Sequence, residues 1–141
     1  MSLNETFPAP NCPFCGEGAL KRAVAIIGSV LALPDKFPVT PGHILIIPQR
    51  HTQDYFTMTP EEHRDTEELL MKLRTQILES DPTVTGFNVG ANCGKSAGQT
   101  IEHAHIHLIP RRFGDTPNPK GGIRGAIPER MGYESTLTAS K

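Results

Sequence analysis

Three histidines alternate with apolar residues in the segment QTIEHAHIHLIP, which spans residues 99–110. His103, His105 and His107 make up half of the six histidines in the chain. On a β-strand, side chains alternate between the two faces, so the three imidazoles would share one face, about 6.6 Å apart. The residues between them, Ala104 and Ile106, would face the core. The segment therefore predicts a strand that presents three ring nitrogens to one site.

Three kinds of chemistry fit such a strand. It can be a solvated polar face, although Thr, Lys or Glu would serve that purpose equally well. Two histidines in an H-x-H pattern can also bind Zn²⁺, but a hydrolytic metal site needs a nearby carboxylate, and Glu102 falls on the other face. The third is nucleophilic catalysis. Imidazole has an ordinary pKa of about 6.5, so it is largely neutral at pH 7 and needs no strong base to attack.

The loop before these histidines favours the third interpretation. Residues 90–100 read GANCGKSAGQT, which combines three glycines with amide and hydroxyl side chains. Glycines let a backbone approach phosphate oxygens closely, and the polar side chains can donate hydrogen bonds to them. A P-loop is excluded, because three residues rather than four separate Gly90 from Gly94 and because the loop leads into a strand.

A C-x-x-C pair near the start of the chain, Cys12 and Cys15, is a second group with its own chemistry. The chain has three cysteines, which cannot all pair, so the pattern suits a reducing compartment. Three interpretations remain open for the pair. It can be two small reduced core residues, a redox pair, or half of a metal site.

The strands that must position these residues are predicted from short apolar runs. Residues 20–35 (LKRAVAIIGSVLALPD) indicate two strands joined by a tight turn at Gly28-Ser29, and residues 42–48 (GHILIIP) indicate a third. Residues 84–91 and the histidine segment, residues 101–110, add two more. From Arg111 onward, the glycines and prolines predict irregular structure.

One helix has strong local signals. Thr59 can act as its N-cap, Pro60 suits the first helical position, and Glu62 completes a capping box. Asp81-Pro82 should end it. The apolar residues that follow helical spacing are Leu69, Leu70, Leu73 and Ile77. We expect an α+β fold, in which one antiparallel sheet of about five strands packs against this main helix.

Composition limits the classes of protein to which the chain can belong. Its 141 residues suit one domain, and its net charge of −1 gives no general attraction to nucleic-acid polymers or anionic membranes. The start lacks the basic and apolar regions of a secretory signal, and the longest aliphatic run, Ile44 to Ile47, is too short to cross a bilayer. We expect a cytoplasmic protein.

The motif GQTIEHAHIHLIP resembles the signature of the histidine triad (HIT) superfamily, and PGHILIIPQRH fits the same pattern. The resemblance covers Cys12 to Arg130 and, at the C-terminal end, is similar to small microbial dinucleoside polyphosphate hydrolases. It implies a HIT-like catalytic domain at residues 12–130, between a flexible arm (residues 1–11) and a flexible tail (residues 131–141).

The resemblance also implies roles for individual residues. His105 would attack the α-phosphorus of a nucleotide and form a covalent nucleotidyl-histidine, and His107 would bind the phosphate and help to carry its charge. Asp35 would hold the ribose hydroxyls, unless it is only a turn residue after Pro34. His43 would support the triad, unless it is an ordinary core histidine. The residues expected to hold the phosphate chain or the leaving group are Asn92, Gln99 and Thr100.

Zinc and a partner subunit complete these expectations. Some bacterial triad proteins carry zinc bound by a C-x-x-C pair and two histidines, and His51 and His103 can face the N-terminal arm here. We therefore expect one structural Zn²⁺ at Cys12, Cys15, His51 and His103, and no organic cofactor. The resemblance also implies a homodimer, with Arg124 reaching toward the partner's site.

The expected function is hydrolysis of dinucleoside polyphosphates such as diadenosine tetraphosphate (Ap4A). Three alternatives remain open at the level of the sequence. They are a purine nucleoside phosphoramidase of the same superfamily, a nucleotide-binding regulatory module, and a zinc-binding interaction protein. An intact triad argues against the regulatory module, because a binding protein has no need of a nucleophile.

Overall fold

A computed structural model describes residue 9 and residues 11–132 of the chain. Most of the expected N-terminal arm (residues 1–11) and C-terminal tail (residues 131–141) therefore lies outside the described residues. Within the described part, no helix combines the length and apolar character that crossing a membrane requires.

A five-stranded sheet forms the centre of the fold. Its strands are β1 (Ala25–Ile27), β2 (Val30–Pro34), β3 (Ile44–Pro48), β4 (Gly86–Gly90) and β5 (Ile106–Arg111). Their order across the sheet is β1-β2-β3-β5-β4, and every neighbouring pair is antiparallel. The expected α+β fold with one antiparallel sheet is confirmed.

The tight turn between β1 and β2 is confirmed at Gly28-Ser29. Gly28 has a φ of 51°, in the left-handed region that glycine adopts without strain. The carboxylate of Asp65 accepts hydrogen bonds from the backbone N–H and the hydroxyl of Ser29, at 2.8 and 2.7 Å. These two bonds lower the pKa of Asp65 and tie the turn to the main helix.

The main helix, α2, spans Pro60–Ser80 and begins and ends where the sequence indicates. The Thr59 side chain accepts from the Glu62 N–H, and the Glu62 carboxylate accepts from the Thr59 N–H. Glu62 is buried and also accepts two hydrogen bonds from the Arg50 guanidinium, at 3.1 and 3.0 Å. The cap of the helix is thus joined to the segment that follows β3.

Two hydrophobic clusters lie on opposite sides of the sheet. One packs under α2 and includes Leu69, Leu73, Ala104 and Ile106, so the expected burial of the residues between the histidines is confirmed. The other includes Leu31, Leu33, Leu45 and Ile47, together with Phe14 from the C-x-x-C segment. The histidines lie on the side of this second cluster.

A short helix that the sequence analysis missed, α1, spans Gly16–Arg22. The predicted strand from residue 20 is therefore wrong at its start, and β1 begins at Ala25. Glu17 in the first turn and the two basic residues in the last turn match the helix dipole. Seven residues are too few for their periodicity to stand out beside a β-branched run.

The histidine strand is shorter than predicted, because β5 begins at Ile106 and contains only His107 of the three histidines. Pairing with β3 stops at Ile46 opposite Ile106. Beyond that point, the Pro48 carbonyl accepts from the His103 ring and Ala104 N–H donates to Thr52, so these groups do not form a ladder. The strand predicted over residues 84–91 likewise shortens to β4.

Candidate active site and metal cluster

His105 lies just before β5 and is 8% exposed. Its Nδ1 lies 2.8 Å from the carbonyl oxygen of His103. A carbonyl only accepts, so Nδ1 carries the proton and donates it. In the neutral ring, Nε2 then keeps a lone pair. The backbone thus fixes the tautomer that leaves Nε2 as a nucleophile.

His107, one pleat further on, has the opposite arrangement. The backbone N–H of Val39 donates to Nδ1 of His43 at 3.1 Å, so Nε2 of His43 carries a proton. That Nε2 donates to Nδ1 of His107 at 2.9 Å, which leaves the proton of His107 on its own Nε2. This last N–H is buried, and no acceptor within the described residues reaches it. It is a donor in need of an anion or another acceptor.

The rings of His105 and His107 are neighbours. The centroids of His105 and His107 lie 5.3 Å apart, with 63° between the ring planes. Burial lowers the pKa of His107 to about 4, and the neighbouring His105 and His43 lower it further. Burial also lowers the pKa of His43, against the opposing charge of Asp35. We call His105 and His107 the histidine pair: one ring offers a lone pair and the other an N–H.

Asp35 is both a turn residue and a neighbour of the histidines. One carboxylate oxygen accepts from the Phe37 N–H at 2.8 Å, which is the bond of a turn residue. The other lies 3.5 Å from Nε2 of His43. The structure therefore brings Asp35, His43 and the histidine pair together, with Asp35 half-buried at the edge.

The glycine-rich loop holds the remaining candidates. Gln99 is buried, and both ends of its amide bind backbone: Oε1 accepts from the Gly94 N–H, and Nε2 donates to the carbonyls of Gln53 and Ile101. Gln99 thus sets the shape of the loop. Asn92 and Thr100 are exposed on it.

A metal cluster lies on the other side of His103. We give this name to Cys12, Cys15, His51 and His103, whose donor atoms all lie within 4.8 Å of one another. Nδ1 of His103 is 3.5 Å from Sγ of Cys12, 3.4 Å from Sγ of Cys15 and 3.2 Å from Nδ1 of His51. Sγ of Cys15 is 3.2 Å from Nδ1 of His51. The structure brings all four predicted ligands together.

These separations suit a tetrahedral ion. Zinc–sulfur and zinc–nitrogen bonds of about 2.3 and about 2.0 Å place sulfur about 3.5 Å from nitrogen and two nitrogens about 3.3 Å apart. Nε2 of His103 donates to the Pro48 carbonyl at 2.8 Å, so its Nδ1 lone pair faces the cluster. Burial raises the pKa of the Cys12 thiol to about 11, so a cation is needed to hold it as a thiolate. The cluster can hold a metal ion.

Comparison with known proteins decides the family. The model of the HIT domain matches residues 21–114, which contain all three histidines. The chain belongs to the HIT family. Two solved HIT structures are similar over most of their length. One, from Bacillus anthracis, has a TM-score of 0.67 and 32% identity, and the alignment covers 94% of this chain and 97% of that one.

The second solved structure is a Zn-bound histidine triad family protein from Mycobacterium smegmatis. It has a TM-score of 0.61 and 28% identity, with 84% of this HIT chain and 87% of that chain covered. The donor separations in the metal cluster described above fit zinc, the ion named for that protein.

Relatives in sequence include two named hydrolases. The asymmetrical bis(5'-nucleosyl)-tetraphosphatase of Schizosaccharomyces pombe is 38% identical over 55% of this chain and 42% of its own length. The bis(5'-adenosyl)-triphosphatase of Dictyostelium discoideum is 37% identical over 62% of this chain and 58% of its own. The match thus spans less than two thirds of either named enzyme. A HIT-like protein of Mycoplasma pneumoniae is 36% identical over 79% of this chain and 78% of its own.

The identity of three backbone groups that shape the site could not be predicted from the sequence. The Val39 N–H, the Pro48 carbonyl and the His103 carbonyl fix ring tautomers from the backbone, and a backbone group has no signature in the sequence. Phe14 is different, because it lies inside the C-x-x-C motif. Its contact with two histidine rings depends on the fold.

Proposed function

We propose that this HIT protein is a nucleotide hydrolase that cleaves the α-phosphate linkage of dinucleoside polyphosphates. The observation that carries the proposal is the opposite tautomers of the histidine pair. His105 offers a lone pair on Nε2, and His107 offers a buried N–H without an acceptor. A phosphate oxygen supplies that acceptor and brings its phosphorus to the nucleophile.

The reaction has two steps. Nε2 of His105 attacks the α-phosphorus, a nitrogen–phosphorus bond forms, and the bond to the leaving phosphate oxygen breaks. The Nε2–H of His107 donates to an oxygen of the reacting phosphate and stabilises the charge that develops there. Water then attacks the nucleotidyl-histidine and releases the nucleotide, with His105 restored.

The remaining candidates bind the substrate around this centre. We assign the ribose hydroxyls to Asp35, because its half-buried carboxylate lies beside His43 and can accept from a vicinal diol. Asn92 and Thr100 are assigned to the phosphate chain or the leaving group. Gln99 contributes through the loop, since its amide already binds the backbone.

We assign a structural zinc ion to the metal cluster. Two cysteines and two histidines fill a tetrahedral sphere and leave no position for substrate, which is typical of a structural site. When bound, zinc supplies a fixed positive charge that holds the cysteines as thiolates and links residues 12–15 to the segment before β5. Such thiolates suit the reducing cytoplasm, which we propose as the location.

We also propose that the protein is a homodimer. The strand β4 lies at an edge of the sheet, and two adjoining grooves of about 720 and 490 Å³ run between β4 and α2. Both are lined by Leu70 and Val89, and Val89 is 46% exposed. These grooves lie on the face of the sheet opposite the histidine pair. Their mainly apolar lining and the edge position of β4 among the described strands suit a second copy rather than a nucleotide.

The predicted reach of Arg124 into the partner's site is kept as part of this proposal. In the described chain, the Arg124 guanidinium donates to the carbonyl of Arg130 at 3.1 Å. Light scattering at micromolar concentration should give a dimer, and Val89→Lys should give a monomer. A wild-type monomer with full activity would remove the dimer from the account.

A panel of adenylate conjugates tests the reaction itself. Diadenosine tetraphosphate and triphosphate present P–O–P linkages, and adenosine phosphoramidates present P–N linkages. We expect kcat/KM to be highest for a dinucleoside polyphosphate. Faster turnover of the phosphoramidates would replace the proposed substrate class, and nucleotide binding without turnover of either class would indicate a regulatory module.

A further inference from the structure

Phe14 is a residue of the C-x-x-C segment to which the proposed chemistry assigns no task. It lies between the two cysteines of the metal cluster and is 6% exposed. Its ring packs with Leu31, Leu33 and Ile47 in the hydrophobic cluster on the histidine side of the sheet. The ring therefore packs against the sheet, and along the chain Phe14 lies between two residues of the metal cluster.

The other side of the Phe14 ring meets two histidines. Its centroid lies 5.9 Å from that of His103, with the planes at 90°, and 5.2 Å from that of His105, with the planes at 62°. Both are edge-on arrangements of the kind that aromatic pairs prefer. Phe14 thus touches one ligand of the metal cluster and the nucleophile at once.

Two further contacts of the His105 ring involve the other histidines. Its Nδ1 donates a hydrogen bond to the carbonyl of His103, and the centroid of the His107 ring lies 5.3 Å away. If the ring rotated by half a turn about its Cβ–Cγ bond, a carbon would face the carbonyl in place of Nδ1. The proton could then move to Nε2, and the lone pair needed for attack would be lost.

We infer that Phe14 is a positioning residue that holds the His105 ring in the orientation where Nδ1 donates to the His103 carbonyl. The metal cluster anchors residues 12–15, Phe14 carries that anchorage to the nucleophile, and Nε2 of His105 stays directed at the phosphate. The kinetic part of this inference rests on the proposed hydrolase function. The predicted orientation of the His105 ring is independent of that function, because it can be measured without substrate.

The test uses Phe14→Leu and Phe14→Ala in the full chain, with Phe113→Leu as the matched control, since Phe113 is 92% exposed. Long-range ¹H–¹⁵N spectra of the histidine rings report which nitrogen of His105 carries the proton. Metal content is measured on the same samples, and wild-type protein treated with a chelator gives the spectrum of the metal-free state.

We expect His105 to lose its single Nδ1–H form in both Phe14 variants while zinc stays at one per chain. The kcat should fall about tenfold for Leu and up to about a hundredfold for Ala, more than KM rises, because misplacing a reacting group costs rate. Phe113→Leu should match wild type within twofold. Unchanged His105 signals in both variants would overturn the inference, and so would a loss of the Nδ1–H form that occurs only in samples that have also lost zinc. If wild type turns over no nucleotide, the hydrolase proposal fails and the ring signals still decide the role of Phe14.

Discussion

The metal cluster and the histidine pair use the same side chain in two ways, and they meet at His103 and His105. His103 donates Nε2–H to the Pro48 carbonyl and turns Nδ1 toward two thiols. His105, two residues later, donates Nδ1–H to a carbonyl, which leaves the lone pair of its Nε2 available to a substrate. In each ring, one nitrogen donates a hydrogen bond to a backbone carbonyl, so the other nitrogen of the neutral ring keeps its lone pair.

The two sites also differ in closure. Every donor of the metal cluster faces another donor at 3.5 Å or less, so the cluster can enclose an ion but not a substrate. The histidine pair ends in an N–H of His107 that no described acceptor reaches. This difference supports the proposed structural role of the metal cluster and the proposed catalytic role of the histidine pair.

Replacing His105, the proposed nucleophile, should affect the histidine pair and leave the metal cluster unchanged. We expect His105→Asn to lower kcat by several orders of magnitude, because the covalent step is lost, while nucleotide binding and metal content stay near wild type. Single-turnover kinetics, calorimetry and metal analysis check the three quantities. A variant with more than about a tenth of wild-type kcat would show that His105 is not the nucleophile.

Removing the thiols of Cys12 and Cys15 should abolish metal binding at the metal cluster. The double variant Cys12→Ser/Cys15→Ser should purify without zinc. If the wild type is saturated a thousandfold above its Kd, the loss is about 4 kcal/mol of unfolding free energy, or on the order of 10 °C in Tm. Elemental analysis and thermal denaturation measure the two effects.

Cys93→Ser is the matched control for the double variant, because Cys93 lies outside the metal cluster. It should keep one zinc per chain and the wild-type Tm. Wild-type protein that lacks stoichiometric zinc when purified without a chelator would refute the assignment.

Replacing His43 should show whether its hydrogen bond fixes the tautomer of His107. His43→Ala removes the donor to Nδ1 of His107, so the His107 proton is no longer confined to Nε2. We expect kcat to fall between about tenfold and a hundredfold, an effect typical of groups that orient a functional residue. The ¹⁵N spectrum of His107 should show mixed tautomers, and a spectrum identical to wild type would argue against the hydrogen-bond chain.

The pH dependence of stability gives the smallest effect. Burial lowers the pKa of His107 to about 4, whereas an unfolded histidine titrates near 6.5. Between these values the unfolded chain binds a proton that the folded chain does not, so the free energy of unfolding falls as the pH drops from 6.5 to 4. Chemical denaturation at pH 7 and pH 5 measures the difference.

His107→Asn should make the difference between pH 7 and pH 5 smaller. The measurement is made on protein loaded with zinc, for which His51 and His103 are proposed ligands. An equal pH dependence in wild type and variant would contradict the role of His107 in this effect.

Local signals in the sequence predicted much of the fold. The capping box of Thr59 and Glu62 and the stop at Asp81 give α2 its bounds, because each acts within a few residues. The turn at Gly28-Ser29 is equally local. The helix α1 was missed because seven residues carry little periodicity, and the start of β5 was misjudged because it depends on where β3 stops pairing.

The candidate site divides in the same way. The four residues of the metal cluster could be named in advance, from the C-x-x-C pair together with the resemblance to triad proteins that carry zinc. The backbone groups that fix the ring tautomers could not be identified in advance. They are the Val39 N–H and the carbonyls of Pro48 and His103, which only the folded chain brings into place. The contact of Phe14 with His105 is likewise a product of tertiary packing.

The most direct test of the division between the two sites is to trap the covalent intermediate. Zinc-loaded wild-type protein is mixed with diadenosine tetraphosphate, quenched within the first turnover and mapped by peptide mass spectrometry. The account predicts one nucleotidyl group on His105 and none on His103 or His107, with the label absent from His105→Asn. Turnover without any labelled histidine, or a label on a residue other than His105, would contradict it.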